Sequence, residues 1–189
     1  MDKVYLLLSS KFLNRPYLFS RLEEVGVTRE QVRFADDYLV YFQGPAELCF
    51  TLDKLVLSIH EDLDVAANVL STYGFDAFSQ KLSRNALKYF PNQCVHPTNV
   101  IMKELSFGDF SSFAPVMRLF KGAPEELLAT MKTYLRCGLD ACYASRVLGV
   151  HRNTFNYRLN AFSERTGIDV RDYHNALLLQ LYFDFSNGQ

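Results

Sequence analysis

The chain has 189 residues, 49% of them hydrophobic, and a formal net charge of −1. This length and composition exclude a disordered chain and predict a globular fold of one domain or two small ones. The near-neutral charge excludes a protein that is basic overall, so nucleic-acid binding would need a local patch. No apolar run approaches the length of about 18 residues that a membrane span needs, and no export signal is recognised. A cytoplasmic protein with four free cysteines is therefore expected.

Residues 1–95 predict a small α+β domain with a sensing or dimerisation role. Three short apolar runs are typical of buried strands: they are 3–8 (KVYLLL), 38–43 (YLVYFQ) and 55–59 (LVLSI). Helices are expected between or after these runs: they cover 16–25, 64–73 and 79–90. Asp64 would be the N-cap of the second helix. No catalytic activity is expected from this part.

Residues 96–122 are predicted to be a connector with one or two short helices, because prolines and glycines interrupt the segment. Apolar residues recur there at roughly helical spacing, and they are Phe107, Phe110, Phe113, Val116 and Phe120. A position in a core is the expected role of this stripe, and a ligand pocket is the alternative.

Residues 123–189 predict a helical domain that contains a helix-turn-helix. Pro124 at a first helical position begins a helix that ends near Gly138. In the following segment, DACYASRVLGVHRNTFNYRL, Asp140 can cap a short helix over 141–148, and Gly149 supplies the turn. A second helix then runs from near His151 to about Arg165. Two helices joined by a short glycine-containing turn form the arrangement that places its second helix in the DNA major groove.

The second of these helices carries the predicted site. Phe155, Leu159 and Phe162 form its buried stripe, and the outward face is rich in Arg and Asn, which read guanine and adenine. Between positions 146 and 165 there are four arginines and one glutamate, which makes a local basic patch. The predicted DNA-binding residues are His151, Arg152, Asn153, Thr154, Asn156, Tyr157 and Arg158. We expect Arg152 to read a base, and Thr154, Tyr157 and Arg158 to contact phosphates.

The same segment resembles the C-terminal domain of the PucR/CdaR family of bacterial transcription regulators, which is similar to the Fis-type helix-turn-helix. The resemblance covers about 123–185, and 109–120 is similar to the family's lead-in helix. The matching positions are Tyr134, Leu135, Leu148, Val150, His151, Asn153, Thr154, 157–159, Thr166 and Gly167, with Ser145 where the family usually has Ala. Family members usually add a longer sensory region and a cyclase-like α/β domain. Only a reduced version fits in residues 1–95, where no cyclase signature is visible.

Other chemically suggestive groups have weaker patterns. Cys94 and His96 lie two residues apart, and 60–62 (HED) is a second cluster, but neither has the paired spacing of a zinc site. Cys137 and Cys142 are expected to pack rather than form a redox pair. No glycine-rich phosphate loop is present. No metal, no cofactor and no enzymatic activity are therefore expected.

The last helix, about 170–185, predicts self-association. Val170, Tyr173, Leu177 and Leu181 form one stripe that would pack on the helix-turn-helix core. A second apolar set lies outside this stripe and would need another cover: it comprises Leu178, Leu179, Tyr182, Phe183 and Phe185. A homodimer would supply that cover, and the alternative is that the N-terminal part folds back over the helix.

Taken together, the sequence predicts a mainly α protein with an α+β N-terminal part and a C-terminal helix-turn-helix domain. The expected function is sequence-specific regulation of a bacterial metabolic operon. The expected partners are double-stranded DNA, a second copy of the chain and a small-molecule effector that the sequence does not identify. The alternative is an interaction or sensing module that keeps the helix-turn-helix scaffold without reading DNA.

Overall fold

The computed structural model describes residues 3–186. The chain divides into two compact units, with the boundary between Asp109 and Phe110. The first unit contains a mixed sheet with helices, and the second is helical in its described residues. The predicted fold class is therefore confirmed. None of the helices described is long and apolar enough to cross a membrane.

The first unit is built on a five-stranded sheet in the order β2-β3-β1-β4-β5. Its strands are β1 (Lys3–Ser9), β2 (Arg33–Phe34), β3 (Leu39–Gly44), β4 (Ala67–Thr72) and β5 (Cys94–Val95). Its helices are α1 (Arg15–Glu24), α2 (Cys49–Leu63), α3 (Ala77–Tyr89) and α4 (Pro97–Ser106). From β1 to β4 the elements follow the β-α-β-β-α-β order of ferredoxin-like folds. β1 pairs antiparallel with both β3 and β4, and β5 adds a parallel edge strand.

The two faces of this sheet are covered differently. Tyr5, Leu7 and Phe42 belong to a buried cluster with the apolar stripes of α1 and α2. Because side chains alternate along a strand, Leu6 and its partners Tyr41 and Leu70 face the other side. There α3 packs on β1 and β4, and α4 packs on β4. β3 contributes Tyr41 and Gln43 to a cavity on this second face.

Two predicted elements in this unit were wrong. Residues 55–59, predicted as a strand, lie inside α2, where Leu52, Leu55, Val56 and Ile59 form a buried helical stripe. Residues 64–73, predicted as a helix, contain β4 instead. Asp64 has a left-handed backbone with φ of 51° and ends α2 rather than capping a new helix. All six residues of β4 are buried, so the strand lacks the polar alternation that usually identifies one.

The second unit consists of the helices α5 (Phe113–Lys121), α6 (Glu125–Arg136), α7 (Ala141–Val147), α8 (Arg152–Thr166) and α9 (Tyr173–Ser186). Aromatic rings fill its core, where Phe120 of α5 lies 6.0 Å from Phe162 and 5.4 Å from Tyr182 between ring centroids. Of the predicted aromatic stripe, Phe113, Val116 and Phe120 are buried, as expected for a core. Phe107 and Phe110 are exposed.

The predicted connector, 96–122, contains α4 and α5. α4 lies in the first compact unit and α5 in the second. The division into an α+β domain at 1–95, a connector at 96–122 and a helix-turn-helix domain at 123–189 stays a prediction. Pro124 was expected inside α6 but is its N-cap residue.

The predicted orientation of α9 was wrong. The side chains that fill the core are those expected to need a separate cover, and they include Leu178, Leu179, Tyr182 and Phe183. Tyr173 is exposed, and Leu177 and Leu181 are half-buried. The physical reason is that α5 and α6 both pack on α9, so one chain covers the larger apolar face by itself.

Candidate nucleic-acid interface

α7 and the turn after it have the local structure that the sequence predicts. The Asp140 carboxylate accepts a hydrogen bond of 2.9 Å from the Tyr143 backbone N–H and caps the first turn of α7. Ala144 and Ser145 are buried, so small side chains occupy the side of α7 that faces the core. Gly149 has a φ of +67°, a left-handed conformation that glycine adopts without a steric cost. The chain can therefore turn sharply between α7 and α8.

α8 is fixed by a cap at its start and by a buried stripe along its length. The His151 Nδ1 accepts a hydrogen bond of 3.2 Å from the Asn153 N–H. Phe155, Leu159 and Phe162 are buried, and the Phe155 ring lies edge-on to Tyr134 of α6 at 5.7 Å between centroids. The predicted buried stripe is thus confirmed, and it orients the rest of α8 outward.

Polar side chains occupy the outward surface of α8. Arg152, Asn153 and Thr154 are exposed in its first turn, Asn156 is half-buried, and Tyr157 is 70% exposed. Asn153 and Tyr157 lie one helical turn apart on the side opposite Phe155. Within the described part of the chain, none of these five side chains forms a hydrogen bond or ion pair. They are therefore available to an external partner.

His151 has a different position from these five residues. Its ring is exposed, yet Nδ1 is engaged as the N-cap of α8. This bond holds the ring at the start of the helix, where the other ring nitrogen can still meet a ligand. His151 therefore lies beside Arg152 and also caps the first turn of α8.

Arg158, the seventh predicted site residue, is turned toward α6. Its guanidinium forms an ion pair with Glu126 and donates a hydrogen bond of 3.3 Å to Thr130 Oγ1. Only 19% of the Arg158 side chain is exposed, compared with 67% for Glu126. The Arg158 guanidinium therefore joins two helices of the chain, and its contact with phosphate stays a prediction.

Other basic groups in the predicted patch are also engaged. Arg165 donates to the Gly122 carbonyl through Nε and Nη2, at 3.3 Å and 3.2 Å. Asn160, a further polar residue on α8, accepts a hydrogen bond from Arg171. Since Glu126 offsets the charge of Arg158, the exposed basic surface is centred on Arg152 and Arg146. The Arg146 Nε donates to the Cys142 carbonyl at 3.3 Å, while its two Nη atoms have no partner in the described residues. The basic surface is smaller than a count of arginines along the sequence indicates.

The structure adds a surface on α7, from which the sequence argument had included only Arg146, as part of the basic patch. Tyr143, Arg146 and Val147 are exposed on α7, the helix that precedes α8 in the motif. Their exposure could have been predicted from the small residues Ala144 and Ser145, because those mark the inner side of α7. Tyr143 and Arg146 therefore extend the polar surface of α8 onto its neighbour.

The cysteine and histidine clusters do not assemble into a site in the described residues. No group of three or more His, Cys, Asp or Glu side chains there could hold a metal ion. His96 instead caps α4, with Nδ1 accepting a hydrogen bond of 3.3 Å from the Thr98 N–H. Cys137 and Cys142 are both free thiols.

These helices define a helix-turn-helix domain: a capped short helix, a glycine turn, and a second helix whose outer face is polar. Residues 127–184 match the family model described as the PucR C-terminal helix-turn-helix domain. The resemblance predicted from the sequence is confirmed for this segment.

Two transcription regulators are among the curated proteins that are similar to part of this chain. The chain is 40% identical over 53 residues to the carbohydrate diacid regulator of Escherichia coli, and 39% identical over 59 residues to the proline-responsive transcriptional activator PutR of Bacillus subtilis. These matches cover 28% and 31% of this chain, and 14% of each relative. A solved structure of a regulator of polyketide synthase expression from Bifidobacterium adolescentis aligns with 97% of this chain and 78% of its own, at 18% identity and a TM-score of 0.48.

Proposed function

We propose that the chain is a cytoplasmic, sequence-specific DNA-binding transcription regulator of a bacterial metabolic operon. The observation that carries the proposal is the first turn of α8, where Arg152 and Asn153 are exposed and their side chains have no partner among the described residues. These are side-chain types that bind guanine and adenine through two hydrogen bonds each. The N-terminal turn of the second helix is also the part of a helix-turn-helix that reaches base edges.

The proposed contacts fall into two groups. Arg152, Asn153 and Asn156 would read base edges, with Arg152 as the principal reader because arginine to guanine is the commonest specific contact. His151, Thr154 and Tyr157 would position α8 against the DNA backbone. Arg158 would contribute by holding α8 against α6, since its guanidinium is paired with Glu126.

α7 would supply the neighbouring backbone contacts. Tyr143 and Arg146 are exposed there, and in a helix-turn-helix the first helix crosses the phosphate backbone. Arg146 can neutralise a phosphate charge, and Tyr143 can donate a hydrogen bond to a phosphate oxygen. This assignment replaces Arg158 with Arg146 as the main phosphate-binding arginine.

A binding experiment with the whole chain separates this proposal from its alternative. Labelled genomic fragments would be titrated with protein at two salt concentrations, and the matched control would be the Arg152→Ala/Asn153→Ala double variant, checked for folding by circular dichroism. We expect a subset of fragments to bind, an affinity that falls with salt, and loss of fragment preference in the variant. Failure to bind any fragment at low salt would favour the alternative, a module that keeps the scaffold without reading DNA.

We also propose that the chain acts as a homodimer and responds to a small-molecule effector. One helix-turn-helix makes few base contacts, and a two-fold dimer places two of them on successive half-sites. The surface of α9 that remains after α5 and α6 have packed is apolar, with Tyr173, Leu177 and Leu181 spaced one turn apart. A second copy would cover this strip.

Sedimentation at low micromolar concentration tests the dimer. Leu181→Glu is the informative variant because Leu181 is half-buried, and Leu178→Glu is the control for unfolding because Leu178 is buried. We expect a dimer that Leu181→Glu converts to a folded monomer. A wild-type chain that sediments as a monomer would contradict the proposal.

A further inference from the structure

The first unit contains a cavity of about 630 Å³ on the face of the sheet opposite α1 and α2. It lies at the edge of the sheet where β1 begins and where β3 and β4 end, beside the part of the face that α3 and α4 cover. Small-molecule sites typically have volumes of about 300–1,000 Å³. The cavity is thus large enough for a ligand with one or two fused rings.

One wall of the cavity is aromatic. Tyr41 of β3 and Phe75, from the loop after β4, are stacked with a centroid distance of 3.9 Å and an interplanar angle of 14°. Tyr73 also lines the cavity, and the Lys3 ammonium lies 5.4 Å from the centroid of its ring. A flat ligand would add to the Tyr41–Phe75 stack rather than enter it, because the two rings are already in van der Waals contact.

The charge on the described lining of the cavity is positive. Arg33 is the one charged side chain among the described lining residues. Its Nη1 donates to the backbone carbonyls of Glu30 and Val32, at 2.5 Å and 3.0 Å. These bonds hold the guanidinium in place, while Nε and Nη2 have no partner within residues 3–186. A fixed guanidinium with donors to spare suits a carboxylate.

Two glutamine side chains complete the lining. Gln31 and Gln43 are both exposed. The Gln31 Oε1 accepts a hydrogen bond of 2.7 Å from the Thr28 N–H, and its Nε2 donates to the Gln43 carbonyl at 3.5 Å. The Gln43 amide forms no hydrogen bond in the described structure. The Gln43 side-chain amide can therefore donate to and accept from a ring nitrogen or a hydroxyl of a ligand, and the Gln31 Nε2 has a second hydrogen with which to donate.

From this combination we propose that the cavity is a binding site for a small planar organic anion, an aromatic or heteroaromatic carboxylate. The ring would stack against Phe75, the carboxylate would bind Arg33, and Gln31 and Gln43 would meet the remaining polar atoms. Each part of the ligand corresponds to a feature of the wall: a flat apolar surface, one cation, and neutral donors and acceptors. The site lies wholly in the first unit, so the proposal does not depend on DNA binding.

Matched probes can test charge and planarity separately on the full chain without DNA. Naphthalene-2-carboxylate is the planar anion, naphthalene-2-carboxamide is its neutral counterpart, and cyclohexanecarboxylate keeps the charge without the flat ring. Binding would be measured by calorimetry and by saturation-transfer NMR. The variants are Arg33→Gln and Phe75→Leu, with Arg84→Gln as the control, because Arg84 is exposed on α3 and does not line the cavity.

We expect saturable binding of naphthalene-2-carboxylate at one site per chain, and weaker binding of the two other probes. Arg33→Gln should weaken binding of the carboxylate about tenfold, toward the level of the carboxamide. Phe75→Leu should weaken both naphthalene probes, and Arg84→Gln should change nothing. Thermal unfolding would confirm that each variant is folded.

Several outcomes would overturn the proposal. One is the absence of saturable binding of naphthalene-2-carboxylate at millimolar concentration. Others are equal affinity for the carboxylate and the carboxamide, equal affinity for cyclohexanecarboxylate, or unchanged binding in folded Arg33→Gln protein. If Arg84→Gln weakened binding as much as Arg33→Gln, the effect would come from overall charge and not from this cavity.

Discussion

The two units expose their polar side chains on surfaces of opposite shape. In the second unit, Arg152, Asn153 and Tyr157 project from a convex helix whose other side is packed in the core. In the first unit, Arg33 and Gln43 line a concave surface beside stacked aromatic rings. A convex helix can enter the major groove, which is about 12 Å wide, whereas a concavity can surround a small molecule. The two proposed binding functions therefore follow from local shape as much as from residue type.

The two units also differ in what makes their polar groups available. On α8, a buried stripe directs the polar side chains outward, so their exposure depends on the core beneath them. At the cavity, Arg33 is held by backbone carbonyls in its own segment, so its position depends on a short turn. Changes in the core should consequently affect the convex surface most.

The largest effect is expected from Phe155→Ala. Phe155 is fully buried and contacts Tyr134, so the change should lower the free energy of unfolding by about 3–5 kcal/mol. Tyr157→Ala, two positions away on the exposed side of the same helix, should change it by less than about 0.5 kcal/mol. Denaturant unfolding followed by circular dichroism measures both. Comparable losses in the two variants would show that α8 is not oriented as described.

The second-largest effect is expected on recognition of DNA rather than on the stability of the fold. Arg152→Ala should weaken binding to the selected DNA site by about 1–3 kcal/mol and relax the preference at one base pair. Arg118→Ala, at an exposed position on α5, is the control and should keep both affinity and preference. Fluorescence anisotropy on the selected site and on its single-base variants measures this. An unchanged base preference in folded Arg152→Ala protein would remove Arg152 as the principal reader.

Arg158→Ala and Arg146→Ala contrast an arginine that is paired with a carboxylate and an arginine whose two Nη atoms have no partner in the described residues. Because Glu126 is largely exposed, the Arg158–Glu126 pair is expected to contribute about 0.2–1 kcal/mol to folding. The slope of the logarithm of the binding constant against the logarithm of salt concentration should stay the same. Arg146→Ala should instead reduce that slope by about one, as expected for loss of a phosphate contact. A reduced slope for Arg158→Ala and none for Arg146→Ala would reverse these roles.

The sequence predicted the second unit well because its signals are local. Asp140, Gly149 and the Phe155–Leu159–Phe162 spacing each act within one helix or turn, and the structure confirms all of them. The failures came from packing between distant segments. β4 is covered on both faces, which removes its alternating pattern, and α9 is surrounded by α5 and α6, which determine its buried face.

The candidate site could likewise be predicted only where its signals are local in the sequence. Its position on α8 and the exposure of Arg152 and Asn153 follow from helical periodicity. The pairing of Arg158 with Glu126 joins residues 32 positions apart, and no short-range pattern indicates it. The cavity likewise combines residues from β2, β3 and the loop after β4, which only the sheet topology brings together.

The smallest effect is expected at alkaline pH, where the free energy of unfolding should depend on the ionisation of Tyr5 in the first unit. Burial raises the pKa of Tyr5 to about 12 from an ordinary value of 10.0, and the nearby Cys49 and Cys94 thiols add to this. The Tyr5 hydroxyl donates to the Pro45 carbonyl at 2.6 Å, and an ionised hydroxyl could not do so. A pKa that is higher in the folded state means that the folded chain holds this proton more tightly than the unfolded chain. The resulting stabilisation is fully present below pH 10 and is lost as the pH rises to about 12.

Urea unfolding of the wild type and of Tyr5→Phe tests this between pH 10 and 12. The free energy of unfolding should decline more steeply with pH in the wild type, because the other tyrosines are common to both proteins. Parallel declines would show that Tyr5 ionises with its ordinary pKa.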